Sequence, residues 1–282
     1  MQGCYKTVAW NSIELRVPKE WEVIVSGIRH LVFEYDFNPL LQIRWEQVGR
    51  LKKSEILKRS SRFWKNRPNS TPSPFPTELS SSAANFTFSQ FFSKEEEIPA
   101  SGIYYCDKCT TLIVFQLLTG KEQLLETIGK TLASLRYQKN PVVSWCIQDF
   151  SLTTHPSLTL KDYTFRAGLT RLAFHGNSYT MQICKLAPAD KRLQQQGLTD
   201  ILQTLTGAAN LHLVEAATSC TGSRSPGIGK QILYRLKRES PFISSKIWLD
   251  KDHNRILAVV LSSSAVIPEA TLEEQCRNYA II

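Results

Sequence analysis

Cys106 and Cys109 make the sole Cys-x-x-Cys of the chain, within IYYCDKCTTLIVFQLL (103–118). Two thiols at this spacing suit half of a zinc knuckle, a redox couple, or simply the tip of a β-hairpin. Zinc requires two further ligands. Asp250 and His253 qualify, because LDKDHN repeats the position of YCDKCT 144 residues later. A site of Cys106, Cys109, Asp250 and His253 is chemically allowed if the two tips meet. Redox use requires a depressed thiol pKa, which a helix N-terminus supplies and a hairpin does not. A disulfide across a two-residue turn has poor geometry. The plainest reading is two small residues at a turn.

A second cluster is electrostatic. RLKKSEILKRSSRFWKNR (50–67) carries Arg50, Lys52, Lys53, Lys58, Arg59, Arg62, Lys65 and Arg67 against Glu55 alone. Such a face suits an acidic protein. With Phe63 and Trp64 between Arg62, Lys65 and Arg67, it also suits phosphates and a stacked base, the chemistry of nucleic-acid binding. Other motifs are weaker. GIGK (227–230) lacks phosphate-loop spacing: Gln231 follows the lysine, and a strand is expected over Gln231–Leu236, so it reads as a turn. The five histidines show no H-x-x-x-H or H-E-x-x-H spacing, and there is no G-x-S-x-G elbow. No catalytic residues and no cofactor are expected.

Bulk properties frame these clusters. At 42% hydrophobic and 21% charged residues the chain is that of a folded protein rather than a disordered one. The net charge of +9 favours acidic partners, whether nucleic acid, an anionic membrane surface or an acidic protein face. The seven cysteines are scattered, the opening MQGCYKTVAWNSIEL lacks the pattern of a secretory signal, and no apolar run is long enough to span a bilayer. A reducing, cytoplasmic setting with no membrane span is expected.

The elements that position the clusters occur twice. HLVFEYDFNPLLQIRWE (30–46) lies on RLAFHGNSYTMQICKLA (171–187) with a one-residue gap, and 103–118 lies ungapped on IWLDKDHNRILAVVLS (247–262). In the first half, period-two alternation predicts strands at Ile13–Val17, Leu31–Glu34 and Leu41–Trp45. A helix follows over Lys52–Trp64, then a Pro/Ser-rich loop (66–82), strands at Phe86–Phe92, Ile103–Tyr105 and Thr111–Leu118, and a helix over Lys121–Leu135. The second half substitutes a helix over Leu193–Leu205, an irregular loop (219–230) and a final helix over Pro268–Tyr279. YQKNPVV (137–143) is the natural linker. The basic helix has a nearly neutral counterpart in KRLQQQGLTDILQTL (191–205), so the repeat does not require its charge.

This order makes an α+β fold: a tandem duplication of an antiparallel-sheet module, 1–138 and 139–282, with helices packed on one side. IELRVPKEWEV, HLVFE and LLQIRW followed by a helix resemble the family that includes the photosystem II extrinsic PsbP protein and the Mog-type Ran-binding protein. The resemblance covers most of each half. It implies a PsbP/Mog-type fold and a binding or assembly role rather than an enzyme, with no site residues to carry over. The expected function is non-catalytic binding of an acidic protein partner through Lys52, Lys53, Lys58, Arg59, Arg62, Lys65 and Arg67. The alternatives are nucleic-acid binding by the same helix and a metal or redox site on the Cys106/Cys109 hairpin.

Overall fold

The computed structural model describes residues 4–60, 71–94, 97–138, 142–208 and 210–282. It is an α+β protein with antiparallel sheets, divided into two compact units, Met1–Asp149 and Phe150–Ile282.

In the first unit the hairpin β1 (Tyr5–Trp10) and β2 (Ile13–Pro18) precedes β3 (Glu22–Gly27), β4 (His30–Tyr35) and β5 (Asn38–Gln47). Then come α1 (Lys53–Ser60), β6 (Thr71–Ser73), α2 (Thr77–Ala83), β7 (Phe88–Lys94), β8 (Glu97–Cys106), β9 (Thr111–Leu117), α3 (Glu122–Ala133), β10 (Arg136–Tyr137) and β11 (Val143–Ile147). The main sheet has the order β3-β4-β5-β9-β8-β7-β6. β10 and β1 flank β2, and β11 pairs with β1 with Ala9 opposite Cys146. That pairing groups β11 with the first compact unit, which ends at Asp149. Trp10 and Trp145 meet edge to face at 5.3 Å. Such a contact contributes about 1 kcal/mol beyond the area it buries.

The second unit runs β12 (Phe150–Thr154), β13 (Thr159–Arg166), β14 (Leu169–His175), β15 (Thr180–Leu186), α4 (Ala189–Leu193), α5 (Leu198–Thr206), β16 (His212–Ala216) and β17 (Ser219–Arg224). It continues with α6 (Ile228–Leu236), β18 (Phe242–Asp250), β19 (Arg255–Ser263), α7 (Glu269–Arg277) and β20 (Tyr279–Ile281). Its main sheet, β13-β14-β15-β19-β18-β17-β16, has the strand order of the first. The registers agree as well. Leu31 faces Ile43 as Leu172 faces Ile183, and Cys106 faces Thr111 as Asp250 faces Arg255.

Alternation places the core. Leu41, Ile43 and Trp45 of β5 are buried, and Gln42 and Arg44 between them are half-buried. The central strand β9 is buried on both faces, so the sheet needs cover on both. α1 supplies one side, with Ile56 packed on Ile103, Tyr105, Leu112 and Val114. α2 supplies the other: the Ser82 hydroxyl pairs with the Tyr104 hydroxyl, and Phe75 and Phe86 stack on the Tyr104 ring. Ile103 and Tyr104 are neighbours in β8 and point to opposite faces. The expectation of helices on one side is therefore corrected: they lie on both.

Four further expectations change. Within its described residues the loop at 66–82 contains β6 and most of α2, the helix expected at Leu193–Leu205 begins only at Leu198 as α5 because α4 ends at Leu193, the loop at 219–230 holds β17 and opens α6, and Gln231–Leu236 is helical, not a strand.

α2 and α3 touch at a glycine. A Cβ on Gly129 would sit 2.0 Å from the Glu78 carbonyl oxygen. Gly129→Ala is expected to destabilise by about 1–3 kcal/mol through overpacking, although alanine is the better helix former. The shift in urea midpoint measures it; a stabilised variant would mean that this close approach does not hold the two helices.

Candidate functional site

The β8–β9 tip shows what Cys106 and Cys109 do. The Cys109 backbone N–H donates to Cys106 Sγ at 3.3 Å, and the Thr110 N–H donates to the Asp107 carbonyl at 3.3 Å, closing the turn. Thr110 takes a left-handed φ of 49°. The β18–β19 tip is built the same way. The His253 N–H donates to Asp250 Oδ1 at 3.2 Å, the Asn254 N–H to the Lys251 carbonyl at 3.2 Å, and Asn254 has a φ of 54°. The sulfur of Cys106 thus stands where the carboxylate of Asp250 stands, accepting from the residue three places on. Such side-chain acceptors let the chain turn without leaving an N–H unpaired.

Both thiols are free. Cys109 is buried, and burial, reinforced by the neighbouring Cys106, pushes its pKa up to about 11. That is the opposite of the depressed value a redox or nucleophilic cysteine needs. In the second unit, His253 Nδ1 lies 3.0 Å from both carboxylate oxygens of Asp250. Cys106 and Cys109 belong to the first unit, Asp250 and His253 to the second. Among the described residues, no group of three or more His, Cys, Asp or Glu side chains is placed to hold a metal ion.

The basic helix is α1. Lys52, at its N-terminus, and Lys53 and Lys58 within it are exposed, and Arg59 is half-buried. Arg62, Lys65 and Arg67, with Phe63 and Trp64, lie outside the described residues. The apolar side of α1 faces the sheet: Ile56 is buried, and Leu57 packs beside it with Val48, Leu51, Phe88 and Phe92. Glu55 holds the Lys52 N–H at 2.8 Å, which fixes the first turn. The Tyr105 hydroxyl secures the approach to α1, donating to the Gly49 carbonyl at 3.0 Å and accepting from the Leu51 N–H at 3.1 Å. Arg59 reaches Glu46 at 3.9 Å, a distance at which a partly exposed pair contributes about 0–1 kcal/mol. Lys53 Nζ lies 5.6 Å over the Phe88 ring.

The helix at the same place in the second sheet is α5. It covers Ile247, Ile256 and Ala258 with Ile201 and Leu202, and LTDILQTLT contains no lysine or arginine. Covering this face therefore requires the apolar stripe and not the charge.

A pocket of about 270 Å³ opens beside β1, lined by Lys6, Thr7, Val8, Glu22, Val23, Cys146 and Gln148. It lies below the range of about 300–1,000 Å³ usual for small-molecule sites. Lys6 donates to the Trp21 carbonyl at 2.6 Å, and the Cys146 thiol to the Thr7 carbonyl at 3.1 Å. Both groups serve backbone carbonyls; burial raises the Cys146 pKa and lowers that of Lys6.

GIGK does not lie in a turn before a strand. Ile228 opens α6, and the structural key here is Arg224, which sequence reading missed. Its buried guanidinium donates to the Pro241 carbonyl at 3.2 Å and the Ser240 carbonyl at 2.6 Å, 4.2 Å from the centre of the Tyr234 ring. An arginine in a Gly/Ser-rich stretch carries no periodicity that would reveal this.

No protein-family model matches the chain, and no curated protein matches it.

The thiol geometry gives a direct test. With a pKa of about 11, about one Cys109 in a thousand is thiolate at pH 8. Iodoacetamide on the native protein at pH 8, followed by peptide mapping, is expected to label the exposed Cys4 well before Cys109. Equal labelling of the two would contradict a buried turn thiol.

Proposed function

We propose that the chain is a non-catalytic adaptor or assembly protein that holds an acidic protein partner on the cationic outer face of α1. The carrying observation is the contrast between two helices at the same sheet position. α1 exposes Lys52, Lys53 and Lys58 beyond an apolar stripe that already meets the packing need, whereas α5 meets the same need without a cation. Exposed cations in excess of the fold's requirement raise association rates with acidic surfaces and fix orientation there. Arg59, and Arg62, Lys65 and Arg67 farther along the sequence, extend the basic run.

We further infer that the two halves, 1–138 and 139–282, are a tandem duplication of one PsbP/Mog-type module, working in the cytoplasm. The shared strand order and the matching registers at the hairpin tips support the duplication. A repeat that begins at residue 139 carries β11 with it, although β11 pairs with β1 of the first compact unit.

Cross-linking with mass spectrometry in the native host identifies the partner, and the purified pair then gives a dissociation constant. Lys52→Glu, Lys53→Glu and Lys58→Glu together are expected to weaken that binding by about tenfold or more at moderate salt, chiefly through slower association. Unchanged binding would sink the proposal. Retention of single-stranded RNA by the wild type, lost in the same variant, would assign the face to nucleic acid instead.

A further inference from the structure

A soluble amphipathic helix normally turns its apolar face to the core and its polar face to water. α6 does the reverse. Ile228, Ile232, Leu233 and Leu236 are 80%, 54%, 58% and 74% exposed. At roughly 100° per residue they occupy one continuous arc of about 140°. Gln231 and Tyr234 lie on the opposite side and are half-buried.

The inversion is built in. Tyr234 rests on the buried Arg224, whose guanidinium holds the chain just beyond the helix at Ser240 and Pro241. Gln231 Nε2 donates to the Pro226 carbonyl just before the helix at 2.9 Å. These contacts fix which side of α6 faces outward. The sheet itself does not require the helix: in the first unit the corresponding strands, β7 ending at Lys94 and β8 beginning at Glu97, are separated by only two residues.

Charge selects the occupant. From Arg224 to Arg238 the sequence contains Arg224, Lys230, Arg235, Lys237 and Arg238 and no acid. Lys230, Lys237 and Arg238 are exposed. Lys230 and Lys237 fall at roughly 200° and 180° on the same projection, just past Leu233, where long side chains can reach back to a polar surface while the aliphatics are immersed. Two copies joined through these arcs would bring like-charged flanks together, which opposes a homodimer. A helix seated on its polar side presents its outer arc alone, which suits a flat surface better than a groove that must wrap it. Apolar insertion combined with a basic patch is the two-signal arrangement of reversible membrane anchors.

We propose that α6 is a peripheral docking helix that lays Ile228, Ile232, Leu233 and Leu236 into the interface of an anionic lipid membrane. The full chain is tested by flotation with vesicles of phosphatidylcholine containing phosphatidylserine and with vesicles of phosphatidylcholine alone. Co-flotation with the anionic vesicles, weakened by added salt, is expected. Ile232→Asp with Leu236→Asp is expected to reduce bound protein about tenfold or more, with circular dichroism unchanged. Lys230→Glu with Lys237→Glu gives the same loss by a route that leaves the aliphatics in place, and decides the matter if the first pair misfolds. No binding to anionic vesicles overturns the proposal, as does equal binding to neutral ones or wild-type binding by a folded variant. A dimer dissolved by the Asp pair, without vesicle binding, assigns the face to a second copy and overturns it too.

Discussion

The antiparallel pairing of β5 with β9, and of β15 with β19, is the constraint on which each unit depends. It joins strands far apart in sequence, so the loop-closure entropy is lost before the contacts repay it. The pairing sets Ile43 opposite Phe115 and Ile183 opposite Val259. Side chains alternate between faces, so a slip of one residue would turn the buried aliphatics of β5 to the wrong side of the sheet. Because β9 and β19 are buried on both faces, each sheet recruits cover twice. α1 and α5 cover one face of their respective sheets, and the hydroxyl pair of Ser82 and Tyr104 helps hold α2 to the other face of the first.

With that frame in place, the remaining features separate into those the fold uses and those it does not. The hairpin tips are used. Cys106 and Asp250 perform one task, accepting the N–H of Cys109 and His253, and a sulfur does it as a carboxylate does. The Cys-x-x-Cys spacing follows from a turn whose first and fourth residues must meet. The lysines of α1 and the outward aliphatics of α6 are different. Neither packs the core, and their counterparts in the other unit are absent or replaced. Surplus features of this kind suit contact with other molecules, since exposed charge and exposed apolar area gain energy when a complementary surface arrives.

The strands were legible because alternation is a local signal. Leu41, Ile43 and Trp45 could be assigned to the core from spacing alone, and the 144-residue offset of the hairpin tips matches their observed registers. The basic face was legible as a charge count, though not its extent, since Arg62, Lys65 and Arg67 lie outside the described residues. Elements governed by tertiary context were not legible. α2 is written in TELSSSA, a weak helix former that holds its place through Leu79, Ser82 and the Gly129 contact. α6 was misread because QILYRL has the β-branched and aromatic content of a strand; Ile228, Ile232 and Leu236 show the helical spacing only when the window opens at Ile228. The break between α4 and α5 falls at Gly197, whose N–H is taken by Asp200, an N-terminal signal inside an apparently continuous apolar stripe. The two-sided cover of the sheet was implicit in TLIVFQL, a run apolar on both parities.

The central claim is that the strand pairs β5–β9 and β15–β19 carry the fold and that α1 and α6 are laid upon it. Native-state hydrogen exchange, resolved by residue, tests this most directly. The slowest amides are expected in β5, β9, β15 and β19, at matching positions in the two units, with α1 exchanging faster and α6 fastest of the helices. Protection in α6 or α1 equal to that of the central strands would contradict it, because those helices would then open only together with the strand pairs rather than being laid upon them.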